Sequence, residues 1–224
     1  MIHYYMTALY QTYIYQPILS VLIFIYNTIA GHDLGIAIVL LTILVRIVLF
    51  PIFYKGARDQ TIMQRLQPHI QKIQSDNKGN REEQARKLMS LYKEHRLNPF
   101  SGFLLIIIQL PIFIALFNLF TKELSGGAFD SKMFLGLIDL ESKSLPLVLI
   151  AAVLQYYQGK ISVPSKNSSM PAAGKMMVFL GPILTVVVLS TLPSALGLYW
   201  IVSTLFSIAQ QIYINKKTPS TEHG

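Results

Sequence analysis

The chain has 224 residues, of which 52% are hydrophobic and 13% charged, with a formal net charge of +8. The charged share is about half that of a soluble domain, and the apolar residues are bunched in blocks, which favours a bundle of membrane helices over one large soluble domain. Cysteine is absent, which excludes disulfides, thiol nucleophiles and cysteine-bound metals.

The first thirty residues hold no Lys or Arg. The basic n-region of a secretory signal peptide is missing, so the N-terminus is expected to be retained. Residues 17–30 are apolar but too few to span, a length that suits a helix lying in the membrane interface. Asn27, Gly31, His32 and Asp33 then mark a turn.

Five sustained apolar stretches follow, each read as a spanning helix, which needs about 20 residues to cross a ~30 Å core. They are 34–54, 102–121, 145–159, 175–192 and 194–214. Between the first two, Ile62, Leu66, Ile70 and Ile73 recur at helical spacing, as do Ala85, Leu88, Met89 and Tyr92. The intervening "SDNKGN" has turn composition. Asn80 is placed to cap the second helix, with Glu83 at the position a capping box uses. Pro68 should kink the first. The result is an antiparallel helical hairpin, either a docking element or simply a solvated charged face with a small apolar seam.

Lys and Arg gather on the cytoplasmic side of a membrane. Residues 55–98 hold ten of them, and Lys160, Lys166, Lys175, Lys216 and Lys217 fall on the same side if there are five spans. The opposite loop sets three Lys against Glu123, Asp130, Asp139 and Glu141. The expected product is an all-α polytopic protein of the plasma membrane, N-terminus outside and C-terminus in the cytoplasm. It divides into an extracytoplasmic N-terminus with the interfacial helix (1–33), the first span (34–54), the cytoplasmic hairpin (55–98), the other four spans (99–214) and a short tail (215–224).

The polar residues inside the spans are the candidate site. Arg46 stands in "ILVRIVLFPIF", in the hairpin-side half of the first span. An Arg near the centre of a spanning helix costs roughly 2.5–3.5 kcal/mol. It must snorkel to the headgroups or face a water-filled cavity, because no expected span interior offers a carboxylate. Gln109 in the second span precedes Pro111, which frees the carbonyl of Ile107. In the fifth span Ser203, Ser207 and Gln211 step by four along one face, with Thr204 and Gln210 beside them. Helix–helix hydrogen bonding is the plainer use of such residues. Tyr199 and Trp200 lie nearer the outer end, where an aromatic belt is expected.

Proton-coupled transporters carry membrane-embedded carboxylates, and these spans have none. All five His fall outside the spans, which leaves an intramembrane hydrolase without a base. No catalytic residue, metal site or cofactor site is expected, and no direct nucleic-acid readout.

Four blocks then resemble the YidC/Oxa/Alb membrane-protein insertases: "LLTILVRIVLFPIFYKGARDQTIMQRLQPHIQKIQ", "LYKEHRLNPFSGF", "QLPIFIALF" and "GLYWIVSTLFSIAQQ". They occur in family order. Leu104 and Thr204 depart from the Pro and Asn the family often has there. The resemblance implies a five-helix core with a hydrophilic groove open to the cytoplasm and lipid, closed on the outside. Arg46 would be its groove arginine, and the hairpin would help receive substrate. It implies nascent membrane proteins and the lipid bilayer as partners, with the ribosome and the general secretion translocon as further candidates. A short form is expected, without the large extracytoplasmic domain, lipoprotein cysteine or long basic tail of some members. A small-solute channel or facilitator built round the same pocket is the competing reading.

Overall fold

In hydrocarbon a chain must satisfy its own backbone polar groups, and a single segment can do so only as a helix. The structure, a computed structural model, describes residues 8–124, 126–162 and 172–218. Lys166 and the tail beyond Thr218 lie outside the described residues.

Helix α1, Ala8–Thr28, is longer than the interfacial stretch expected from composition. It opens with a π-helical segment, Gln11–Tyr15, before the α-helical Gln16–Thr28. Its extra turns are rich in Tyr, Gln and Thr, which are poorly apolar but place hydroxyls usefully. Tyr10 Oη accepts a hydrogen bond from Asn118 Nδ2 at 3.1 Å, and Tyr15 Oη donates to Glu123 Oε1 at 2.9 Å. Tyr26 Oη accepts from Ser131 N at 2.9 Å. These partners lie in the last turns of the helix Ser101–Glu123 and in the loop beyond it. Helix α1 therefore crosses the end of the bundle opposite the hairpin, called here the loop end.

Gly31 and His32 turn the chain with φ of 60° and 62°. Asp33 then caps α2, Leu34–Val48, accepting from Ile36 N at 2.9 Å. The stretch 34–54 is not one straight span. Pro51 has no N–H and its ring crowds the preceding turn, so the helix breaks at Leu49. Helix α3, Phe50–Arg65, leaves at 68° to α2. A second break falls at Leu66, just ahead of Pro68, and starts α4, Gln67–Asp76.

Asn80 caps α5, Arg81–Glu94, by accepting from Glu83 N at 3.1 Å. The reciprocal half of the capping box is missing. Glu83 instead pairs with Arg86 at 2.8 Å, and Asn80 N donates to Asn77 O. Hydrogen bonds from Arg86 hold the Glu83 carboxyl below its usual range. The hairpin seam comprises Leu66, Ile70 and Leu97 with Ile62, Leu88, Leu91 and Tyr92. Ala85 and Met89, expected in it, are exposed. Leu97, supplied by the return chain, is buried in the seam.

Four helices follow: α6, Ser101–Glu123; α7, Leu145–Ser162; α8, Ala172–Leu189; and α9, Ser194–Lys217. Helix α8 ends earlier than residue 192. The hydroxyls of Ser190 and Thr191 turn back to the Val187 and Val188 carbonyls, and Pro193 disfavours helix at the residue before it. Between α6 and α7 a small antiparallel ribbon pairs β1, Met133–Phe134, with β2, Ile138–Asp139. By length and apolar composition three described helices, α1, α6 and α9, suffice to cross a membrane, and the bent pair α2–α3 is a fourth candidate.

The main core lies at the loop end. Leu22, Tyr26, Leu34, Ile38, Leu119, Phe120 and Leu196 are wholly buried there. Two glycines allow close approach. A Cβ on Gly35 would lie 2.1 Å from the Phe134 ring, and one on Gly56 would lie 2.6 Å from Leu105 Cδ2. Gly56 thus sets the spacing of α3 against α6. Gly56→Ala is expected to overpack this contact at a cost of about 1–3 kcal/mol, read as a lower thermal midpoint in detergent. Gly79→Ala, with open space around its Cβ, should leave the midpoint unchanged.

Candidate functional site

Toward the hairpin end the helices do not close on one another. They enclose a cavity of about 560 Å³, walled by α2, α3, α6, α7, α8 and α9. Its depth follows α9 from Tyr199 to Gln211, twelve residues or about 18 Å. Beyond Tyr199 the same helix enters the main core, with Ala195, Leu196 and Leu198 buried. The wall there is apolar, built of Leu110, Phe113, Val188 and Trp200.

Arg46 sits in the cavity wall, one turn before the bend. Its Nε donates to Ser203 Oγ at 2.9 Å, and Nη2 donates to the same oxygen. The guanidinium lies 4.7 Å over the Phe53 ring, a contact that favours a cation. Phe53 can reach it only because α3 turns away at Leu49. Between the two readings open from sequence, the side chain points inward instead of snorkelling.

Gln109 Nε2 donates to Tyr199 Oη. Tyr199 is only 3% exposed, so it does not join a lipid-facing belt. Trp200 also lines the cavity and meets Phe113 edge-on at 5.9 Å. Tyr199 thus faces the bundle, and Trp200 is half-buried with part of its surface on the cavity. Their depth on the helix fits a belt, but their face points into the bundle.

Ser203, Thr204, Ser207 and Gln211 all line the cavity. Ser207 Oγ donates to its own helix at Ser203 O, 3.0 Å away. Gln211 Nε2 donates to Thr61 Oγ1 and to Asn215 Oδ1, each at 2.9 Å, and so joins α9 to α3. The stripe on α9 is therefore split between cavity lining and helix–helix contact.

Sequence reasoning missed the opposite wall. Gln155, Gln158 and Ser162 of α7, with Gln60 of α3, line the cavity there. Gln155 and Gln158 stand three apart in an otherwise apolar run, a spacing that shares one helix face and could have disclosed them. Among the described residues that line it, the cavity thus has a single cation amid amides and hydroxyls, and no carboxylate. Among the described residues no group of three His, Cys, Asp or Glu could hold a metal.

A carboxylate does lie nearby. Asp59 of α3 is 2% exposed and accepts a hydrogen bond from Ser101 Oγ at 2.7 Å. Ser101 is the first residue of α6, where the helix dipole favours negative charge. From sequence Asp59 reads as one more surface charge of the hairpin.

These features define an all-α polytopic membrane protein whose bundle is packed at one end and holds a polar cavity toward the other. The family described as 60Kd inner membrane protein matches residues 24–221, and the chain belongs to that family, the YidC/Oxa/Alb group. It is 36% identical over 209 residues to the membrane protein insertase YidC of Geotalea uraniireducens, covering 92% of this chain and 38% of that one. It is 35% identical to the membrane protein insertase YidC of Fusobacterium nucleatum, covering 92% of this chain and 99% of that one. A solved structure described as an active YidC insertase crystal structure with the first transmembrane domain resolved superposes with a TM-score of 0.66. That match has 26% identity and covers 94% of this chain and 47% of that one.

The Asp59–Ser101 contact yields a stability test. Ser101→Ala leaves the buried carboxylate without this donor, at a cost of about 1–3 kcal/mol, and should lower the thermal midpoint. Adding Asp59→Asn should recover part of the loss, because a neutral amide is cheaper to bury than a carboxylate. Thermal unfolding of both variants in detergent measures it.

Proposed function

We propose that the protein is a membrane protein insertase, which accepts nascent membrane proteins from the cytoplasm and releases them into lipid. One observation carries the reading: among the described residues the cavity lining holds a lone cation, Arg46, with neutral amides and hydroxyls, and runs up against a packed apolar core. A nascent membrane protein must move a polar, often acidic, segment through hydrocarbon. A polar recess reaching partway in shortens that apolar path. A cation in a low-dielectric wall attracts carboxylates more strongly than it would in water. The apolar part of the substrate then partitions sideways into lipid, and that partitioning supplies the driving force.

On this reading α2 with the start of α3, then α6, α7, α8 and α9 are the five spans, and α1 lies in the outer interface. The ten Lys and Arg of residues 55–98 support a cytoplasmic hairpin, which captures substrate. The N-terminus is then outside and the C-terminus in the cytoplasm. A small-solute facilitator needs a path through both ends, and the buried residues from Ala195 to Leu198 argue against one.

The test is insertion of a short single-span substrate by purified protein in liposomes. Arg46→Ala should lower insertion of a substrate with an acidic translocated segment roughly tenfold, equivalent to about 1.4 kcal/mol. Arg46→Lys should retain most of it. Normal insertion by Arg46→Ala would reduce the arginine to a structural role. Failure of the unaltered protein to insert any substrate would sink the reading itself.

Orientation is tested separately. Asn77→Cys should react with an impermeant maleimide only after the cytoplasmic side is opened, and Asp130→Cys should react in intact cells. Labelling of Asn77→Cys from outside would reverse the topology.

A further inference from the structure

The ribbon between α6 and α7 carries an apolar tip that neither the core nor the cavity uses. Met133 pairs with Asp139 and Phe134 with Ile138, leaving Leu135, Gly136 and Leu137 as the connection. Leu137 is 82% exposed and Leu135 59%. Leu135 adopts a φ of 53°, a left-handed conformation that costs a residue with a β-carbon roughly 1–2 kcal/mol and that Gly or Asn would adopt more easily.

The tip is nonetheless held in place. Leu135 N donates to Asp33 Oδ2 at 2.6 Å, and Leu137 N donates to Phe134 O at 3.0 Å. The Phe134 ring sits directly on Gly35. At the base, Leu140 N donates to Lys132 O, Ala195 N to Leu140 O and Ser194 N to Ser142 O. Lys132 also pairs with Glu141 at 2.7 Å. Two leucines are thus pushed outward by a fixed turn in a strained backbone.

We propose that Leu135 and Leu137 form a lipid anchor that inserts into the membrane interface at the loop end of the bundle. The ribbon is fastened to Asp33 and Gly35 at the start of α2 and to Ser194 and Ala195 at the start of α9. Both helices belong to the membrane bundle, so their first residues set the tip at the level where the bundle meets the headgroups. Leu145, at the start of α7 on the same end of the bundle, is also 66% exposed. A protein partner fits less well. Stable protein interfaces bury about 1,200–2,000 Å², whereas a three-residue tip offers only two apolar side chains. Interfacial insertion needs no such area, because its strength scales with the apolar surface buried. The anchor holds the ribbon, and through Asp33 and Phe134 the start of α2, at fixed depth. It stands whether or not the protein is an insertase.

Because the chain has no cysteine, a nitroxide can be placed at Leu137→Cys and, as a control on the same loop, at exposed Ala128→Cys. The full chain is reconstituted in phosphatidylcholine–phosphatidylglycerol liposomes. Relaxation by oxygen, which concentrates in lipid, is compared with relaxation by a water-soluble nickel chelate. The oxygen-to-nickel ratio at residue 137 is expected to exceed that at residue 128 several-fold. Equal ratios would overturn the proposal. So would a label shielded from both reagents and released on dilution in lipid, which would mean contact with a second copy. Since the substitution removes one leucine, the unaltered protein is also photolabelled with a diazirine phospholipid. Lipid adducts within residues 133–139, located by mass spectrometry, support the anchor, and adducts confined to the helices refute it.

Discussion

The bend at Leu49 is the constraint from which the cavity follows. Had α2 continued straight, Phe53 would lie further along the same axis and Arg46 would stand on the side of an ordinary spanning helix. Pro51 removes an amide donor and crowds the preceding turn, so α3 departs at 68°. Phe53 then comes under the Arg46 guanidinium, and Gly56 lets α3 press against Leu105 of α6. Gln60 and Thr61 turn toward α9, where Thr61 accepts a hydrogen bond from Gln211. One imino acid thus arranges three walls of the site.

The second organising feature is the uneven packing of the bundle. In lipid, helices gain little from burying apolar surface against each other. Close packing and interhelical hydrogen bonds hold them together instead. At the loop end that packing is complete, and α1 adds three tyrosine hydroxyl contacts across the top. Toward the hairpin end the walls are long amides. Many of these pair locally, Gln109 with Tyr199 and Gln211 with Thr61 and Asn215, so the surface is polar without carrying charge. Against that neutral surface Arg46 is the one formal charge among the described lining residues. Ser203, its acceptor, is an uncharged hydroxyl and leaves that charge unneutralised.

The sequence discloses composition and periodicity well and direction poorly. The membrane bundle, the hairpin turn and the Asn80 cap are all readable, because apolar runs, turn residues and capping patterns act over a few neighbours. Arg46 stands out because a cation amid apolar residues has few tolerable environments. The bend at Leu49 is hidden, since a hydropathy reading counts Pro51 as part of the run. The start of α1 is hidden for the opposite reason: its tyrosines and glutamines look like a surface, and only their partners on α6 make them a helix worth forming. Tyr199 is misread because a belt is inferred from depth alone, whereas facing the bundle or the lipid depends on which neighbours surround α9. Gln155 and Gln158 were legible in spacing but needed the cavity to give them meaning.

Asp59 shows how far the boundary between bundle and hairpin departs from the boundary in composition. After the lone Arg46, charged residues resume at Lys55 and recur from there, which suggests that the chain has left the membrane core there. Yet Asp59 bonds to Ser101 of α6, Thr61 to Gln211 of α9, and the Arg65 guanidinium to the Thr218 carbonyl at the end of α9. Helix α3 is therefore still tied to the bundle well past Lys55, through Asp59, Thr61 and Arg65. The helix breaks at Leu66, and Pro68 just beyond prevents it from resealing. Motion of α4 and α5 about that break would leave Arg46, Phe53, Gln60 and Thr61 in place. The geometry around Arg46 thus depends on the residues that hold α3 in the bundle and not on the hairpin beyond the break.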